Sequence, residues 1–311
     1  MKLGMVGLGK MGGDMTRRLI QHGHEVVVFD ISDDAVKRLA DEGATASESM
    51  EDMVSRLEPP RTVWLSLPSG DITEQSVTQA LGLLEPEDVL VDSANSDWRD
   101  TLARDKRAEE AGVHFVDAGV SGGIWGLREG YNLMVGGSDK AFSDVEPALK
   151  ALAPEGGYAH VGPAGSGHFV KMVHNGVEYA LMQSYGEGFE ILASYEHAEL
   201  DLHQIAKLWT NGSVIRSWLL ELSISALEED KRLENIEAYV DDSGMGRWTV
   251  EYGVNHAVPT PAIAASLYAR FSSRQQDSFA AKVAAALRNE FGGHSVKRRE
   301  PAGAEDPGEE Q

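Results

Sequence analysis

Cysteine is absent from all 311 residues, which removes disulfides, thiolate metal sites and cysteine nucleophiles together. Long apolar runs are absent as well, and none approaches the ~18 residues that a membrane-spanning helix needs. The chain opens directly into Met1-Lys2-Leu3-Gly4-Met5-Val6, with no charged leader, apolar h-region or cleavage site. A soluble cytoplasmic protein without membrane partners is therefore expected. Positive charge is scarce. Asp and Glu number 50 against 28 Lys and Arg, for a formal net charge of −22 at pH 7. A surface that negative repels nucleic-acid phosphates and anionic lipid head groups, so a non-specific nucleic-acid binder is all but excluded. Lysine is the scarcer cation, with 11 copies against 17 arginines, and the acidic residues are spread along the whole chain. In a high-salt cytoplasm such a surface holds water and counterions while salt screens its self-repulsion. A halophilic host is expected on that ground, with an ordinary acidic enzyme as the plainer alternative.

Hydrophobic residues make up 42% and charged residues 25%, enough for real cores, and the length suits two domains. The first half alternates. Apolar, β-branched runs at 3–6, 25–30, 62–67, 89–92 and 114–117, continuing at 133–135 and 158–161, are separated in part by helix-length segments such as 32–42 and 101–111. That alternation predicts βαβ units and a mostly parallel sheet. After Gly162-Pro163-Ala164-Gly165 only helical periodicity follows, from 166 to about 289, with breaks at 211–213, 241–246 and 258–261. The expected fold class is an N-terminal α/β, Rossmann-like domain over 1–163 followed by an all-α domain over 164–294. Residues 295–311 are charged, rich in Gly, Pro and Glu, and lack apolar anchors, as a disordered tail would be.

Gly7, Gly9 and Gly12 form a GxGxxG pattern. The first glycine permits a tight turn, the second a close backbone approach to a pyrophosphate, and the third close helix–strand packing. The glycines follow a strand and open a helix, and Asp30 closes the next strand 18 residues after Gly12. A carboxylate there accepts the adenosine ribose hydroxyls and repels a 2′-phosphate, and Ile31-Ser32 supplies no cation, so NAD is preferred over NADP. The plainer reading of Asp30 is a turn residue or helix cap. The cofactor set expected is Gly7, Leu8, Gly9, Met11, Gly12, Asp30, and Leu67-Pro68 in a strand-end loop that by itself is only a turn pattern. Asn95, also at a strand's carboxyl end, is shared with the substrate.

The segment from Gly165 to Tyr179 carries the most chemistry. In a helix, Lys171, His174, Asn175, Glu178 and Tyr179 stand at i, i+3, i+4, i+7 and i+8, on a stripe of roughly 140°. Met172, Val173, Val177 and Ala180 fall largely elsewhere and can pack. A solvated surface helix would explain Lys171 and Glu178 as a near-pair, but His and Asn in the same stripe beside a glycine-rich entry point to the wall of a polar cleft. Asp117-Ala118-Gly119-Val120-Ser121-Gly122-Gly123 follows a strand and offers a hydroxyl and glycine N–H groups for a carboxylate; an ordinary loop is the plainer reading.

These residues resemble the 6-phosphogluconate dehydrogenase (decarboxylating) family of the β-hydroxyacid dehydrogenases, from the glycine fingerprint to about Arg274. The most specific part is Lys171-Met172-Val173-His174-Asn175-Gly176-Val177-Glu178-Tyr179. Hydroxyisobutyrate-type relatives share the glycines, the Ser-Gly-Gly stretch and the lysine, but typically carry asparagines after it. The resemblance implies that Lys171 is the general base for the C3 hydroxyl as hydride leaves for NAD. The 3-keto acid, a β-keto carboxylate, then loses CO2 without a metal, and Glu178 protonates C1 of the enediol to give ribulose 5-phosphate in the oxidative pentose phosphate route. It implies that Asn95, Ser121, Gly122, Gly123, His174 and Asn175 position the sugar acid, with Tyr179 and Arg270 at its phosphate. A homodimer or homotetramer is implied in the same way.

The chain departs from the family in one loop. Ser243-Gly244-Met245-Gly246-Arg247-Trp248 stands where long members carry Lys-Gly-Thr-Gly-Lys-Trp, so a phosphate-binding lysine is missing at Ser243, with Arg247 or Arg274 as candidates to compensate. The chain is also far shorter than those members, like the NAD-dependent branch. Two alternatives stay open: an NAD-dependent dehydrogenase of a small β-hydroxyacid without decarboxylation, and a silent NAD-binding scaffold.

Overall fold

The computed structural model describes residues 1–298. Of the expected tail, 299–311 lies outside the described residues and 295–298 forms neither helix nor strand. The first domain runs β1 (Lys2–Val6), α1 (Lys10–Gln21), β2 (Glu25–Phe29), α2 (Asp33–Asp41), β3 (Thr45–Ala46), α3 (Met50–Ser55), β4 (Thr62–Leu65) and α4 (Asp71–Leu81). It continues through β5 (Val89–Asp92), α5 (Trp98–Glu110), β6 (His114–Ser121), a 3-10 turn at Gly123–Trp125, α6 (Gly126–Glu129), β7 (Asn132–Gly137), α7 (Asp139–Leu152) and β8 (Tyr158–Gly162). The helical domain follows: α8 (Ser166–Ala193), α9 (Leu202–Trp209), α10 (Trp218–Glu229), α11 (Met245–Asn255), α12 (Pro261–Ser273) and α13 (Phe279–Gly292).

The eight strands form one sheet in the order β3-β2-β1-β4-β5-β6-β7-β8. Six strands are parallel because helices carry the chain back across the sheet between most of them, including β1 to β2, β4 to β5 and β5 to β6. Between β6 and β7 only residues 122–131 intervene. That is too short for a parallel crossover, so β7 pairs antiparallel to β6 and β8 runs beside it. This pairing also corrects the strand end. β6 was expected to stop at Asp117 with a loop beyond it, but Ala118 to Ser121 are held in the ladder opposite Val135 to Asn132.

Successive strand residues serve two cores, as a sheet covered on both faces requires. Leu3, Met5, Val26, Val28, Trp64 and Val91 pack on the side of α1, α2 and α7. Val6, Val27, Val63, Leu65, Leu90 and Phe115 pack on the side of α3, α4 and α5. Each fully buried Val, Leu or Phe contributes roughly 1.5–3 kcal/mol, so the sheet holds its strand ends firmly. Strand order reverses at β1 and β4, and the helices that follow them, α1 and α4, leave to opposite faces of the sheet, which opens a crevice at their carboxyl ends. The helical domain has a much smaller core around Leu202, Ala206, Leu220 and Leu227.

Candidate active site

The glycine turn after β1 is held by sterics. Gly7 has φ +88°, and a Cβ on it would overlap the Ser66 carbonyl oxygen, while one on Gly12 would overlap the Gly7 carbonyl oxygen. A Cβ on Gly9 would meet nothing within 4 Å. Gly9 is the N-cap of α1, with no side-chain cap and no acidic residue in the first turn, so the helix's free N–H groups and positive end are open to an anion. They border a cavity of about 310 Å³ lined by Gly9, Met11, Gly12, Leu67, Pro68 and Asn95. Gly7 and Leu8 shape the turn instead of lining that cavity. Asp30 Oδ2 accepts the Leu8 N–H at 2.6 Å and Oδ1 accepts the Ser32 N–H at 2.8 Å. The carboxylate thereby ties the glycine loop to the end of β2, half-buried and with lone pairs left for ribose hydroxyls. A pyrophosphate flanked by a diol fits these residues.

Like α1, α8 starts on a glycine without a side-chain cap, Gly165 at φ +88°. Here the fold supplies one. Asp117, fully buried in β6, accepts the Gly165 N–H through Oδ1 and the His168 N–H through Oδ2, both at 2.7 Å. His168 is also buried, with Nδ1 2.7 Å from Thr101 Oγ1 on α5. The helix then lies directly on the sheet. A Cβ on Gly167 would overlap the carbonyl oxygen of Asp117, and one on Gly119 would overlap Lys171 Cβ.

Lys171 therefore rests its stem on β6 and is only 5% exposed. Burial pushes its amine down to about 8, against a smaller upward pull from Glu178, because an ammonium loses hydration there. His174 and Glu178 stand one turn apart, with Nδ1 3.9 Å from Oε2, and His174 Nδ1 is 3.1 Å from Asn175 Oδ1. Both His174 and Glu178 line a cavity of about 990 Å³ together with Ser121, Gly122, Gly123 and Trp218. Asn175 is buried and does not line it.

Tyr179 and Arg270 do not line that cavity either. They meet on the side of α8 that faces α11 and α12, where the Arg270 guanidinium lies 3.6 Å above the Tyr179 ring. The Tyr179 hydroxyl accepts the Ser243 N–H at 2.9 Å and sits 3.2 Å from Ser243 Oγ, so the position without a lysine adjoins this group. The two candidate substitutes are already engaged. Arg247 and Arg274 both reach Asp242, at 2.7 and 2.9 Å, and the Arg247 guanidinium, followed by Arg274, holds that carboxyl down at about 2. Arg270 instead donates to the Asp241 carbonyl at 2.6 Å.

The apolar residues of α8 pack only in part. Met172 is buried, but Val173 and Val177 are exposed, as are Val170 and Leu181. Among the described residues no element covers that stripe, which forms an apolar wall of the large cavity. The cap from Asp117 was also not legible as such, because its partners lie 48 and 51 residues away. The trace it leaves is a long polar-striped helix that starts on glycine with no capping side chain.

Residues 2–162 match the sequence pattern of the NAD binding domain of 6-phosphogluconate dehydrogenase, and residues 167–302 that of the enzyme's C-terminal domain. The chain is 45% identical over 303 residues to an NAD(+)-dependent, decarboxylating 6-phosphogluconate dehydrogenase of Haloferax volcanii, covering 96% of this chain and 100% of that one. It is 42% identical over 299 residues to the YqeC protein of Bacillus subtilis, with the same coverage. Among solved structures, Plasmodium falciparum 6-phosphogluconate dehydrogenase superposes with a TM-score of 0.81 at 26% identity, over 97% of this chain and 67% of that one.

Proposed function

The chain belongs to the 6-phosphogluconate dehydrogenase family, and from that premise we propose that Lys171 and Glu178 divide the proton transfers of its reaction. That reaction is the NAD-dependent oxidative decarboxylation of 6-phosphogluconate to ribulose 5-phosphate and CO2. Bound at the glycine turn and Asp30, NAD supplies the acceptor for the hydride that leaves C3. Lys171 takes the C3 hydroxyl proton, which a buried amine pushed down to about 8 can do near neutral pH. Once protonated, Lys171 stabilises negative charge on the C3 oxygen while the bond to the carboxylate carbon breaks. Glu178, at the cavity edge, then donates a proton to the carbon that lost CO2. Ser121, Gly122, Gly123 and His174 hold the sugar acid, Asn175 orients His174 from behind the cavity wall, and Asn95 would serve both the sugar acid and the cofactor. Tyr179 and Arg270 take the phosphate, and among the described residues no carboxylate pairs with Arg270, which rests on the Tyr179 ring and the Asp241 carbonyl.

The observation that carries this reading is Lys171, buried against Gly119 with its amine shifted toward neutrality and Glu178 within electrostatic reach. The test is product stoichiometry. One CO2 per NADH from 6-phosphogluconate supports it, whereas turnover of 3-hydroxyisobutyrate without the phosphorylated acid would replace it with the simpler dehydrogenase reading.

The domain division at 1–163 and 164–294 and the cytoplasmic location belong to the same proposal. So does a homodimer or homotetramer. Helix α13 has no buried residue, and Phe279, Val283, Leu287 and Phe291 form an exposed stripe along it. An isolated helix of that length is marginal in water, and a second copy is the natural cover for it and for the bare stripe of α8. Light scattering that found a monomer would overturn this. No helix among the described residues is long and apolar enough to cross a membrane.

A further inference from the structure

Asn95 is an exposed residue between two buried ones, Ala94 and Ser96, and both neighbours are tied to one carboxylate. Asp92, fully buried at the end of β5, accepts the Ala94 N–H through Oδ1 at 2.9 Å and the Ser96 hydroxyl through Oδ2 at 3.1 Å. Arg104 of α5 is 1% exposed. Its Nη1 donates to Asp92 Oδ2 at 2.9 Å and to Ser96 Oγ at 2.8 Å, and its Nε donates to Glu74 of α4 at 3.0 Å. The same helix carries Thr73, whose hydroxyl donates to the Pro68 carbonyl at 2.7 Å. A single buried guanidinium therefore joins the loop of Asn95 to the loop of Leu67 and Pro68, two of the segments that line the dinucleotide cavity.

Asp92, Ser96 and Arg104 do not line that cavity themselves. A buried ion pair is also a poor device for stability alone, since desolvation offsets most of its attraction. Its planar fork of donors does hold geometry well. We propose that Arg104, through Asp92 and Ser96, is a positioning residue that sets how Asn95 is presented to the cofactor and substrate. The proposal rests on the reading of Asn95 as a contacting group.

A mutant cycle in the full-length protein tests it. Ser96→Ala and Arg104→Lys are each made alone and together with Asn95→Ala. NADH dissociation constants are read by nicotinamide fluorescence, beside kcat, KM and Tm. Acting alone, Ser96→Ala and Arg104→Lys are expected to weaken NADH binding and lower kcat/KM by about fivefold, the scale of one lost buried hydrogen bond. In the Asn95→Ala background they are expected to add nothing, although Tm falls equally in both, because coupled residues are non-additive. Equal losses in both backgrounds, or no loss beside an intact Asn95, would overturn the positioning role. Should Arg104→Lys fail to fold, Ser96→Ala decides, since it removes one oxygen and no charge. A silent Asn95→Ala would overturn the assignment of Asn95 itself and this role with it.

Discussion

Of the helices that begin on a glycine with no capping side chain, α1, α4, α8 and α11, α1 and α8 border the candidate site, and the fold treats these two in opposite ways. The end of α1 faces open space, with nothing within 4 Å of where a Gly9 Cβ would stand. The end of α8 is closed by Asp117, a carboxylate that β6 delivers to two of its N–H groups. One helix end is left for a ligand's negative charge, and the other is satisfied by the protein's own. An uncapped glycine start is therefore ambiguous as a binding feature. What separates a ligand site from a structural anchor is whether a buried carboxylate from another element reaches it. The division suits the proposed chemistry, in which α1 receives and releases a cofactor and α8 holds an amine still.

If that division holds, substitutions on α8 should affect turnover and those at α1 should affect cofactor binding. The largest effect is expected from Lys171→Met. Losing a general base costs about 10²–10⁴-fold in kcat, while NADH binding stays near wild type; comparable losses in both would merge the two roles. Next comes pH. Because the amine must be neutral, kcat/KM should fall about tenfold per unit below pH 8 and level off above it. The same depressed value penalises the folded state below pH 8, and the penalty fades as pH rises to about 10.4, where the unfolded lysine also loses its proton. Lys171→Met should therefore be the more stable protein at pH 7, by on the order of 3 kcal/mol, with the gain shrinking toward pH 10 in denaturant titrations.

The glycines of α1 should separate from each other. Gly12→Ala forces a Cβ into the Gly7 carbonyl and is expected to lower both Tm and cofactor affinity, whereas Gly9→Ala enters open space and should raise the KM for NAD with Tm unchanged. An equal fall in Tm for both would mean that the mouth of α1 is not free. The smallest effect is expected from Asp117→Asn. It keeps one acceptor and loses a charge-assisted bond, for about 2 kcal/mol of stability, and it should lower kcat through Lys171 without moving the NADH dissociation constant.

Much of this arrangement was legible along the chain. The glycine turn, Asp30 and the alternation of strands with helices are short-range patterns, and so is the stripe from Lys171 to Tyr179, since side chains three and four apart share a helix face. Other features depend on partners far away in sequence. β6 continues to Ser121 only because β7 pairs with it. Val173 and Val177 look like packing residues by composition, yet among the described residues no element covers them fully. Arg247 and Arg274 resemble free cations until Asp242 is found between them.

By itself, the sequence determined which chemical groups are present and how they are spaced within one element, because covalent geometry and helical or strand periodicity translate local spacing directly into direction. It therefore determined the dinucleotide turn, the fold class and the candidate acid and base on α8. The tertiary structure decided what each group faces. Gly119 lets the stem of Lys171 pack on β6, and the burial of the side chain strips water from the amine; placing Asp117 at the start of α8 holds the helix there. Burial and charge depend on neighbours from other elements, and those neighbours exist only once the chain has folded.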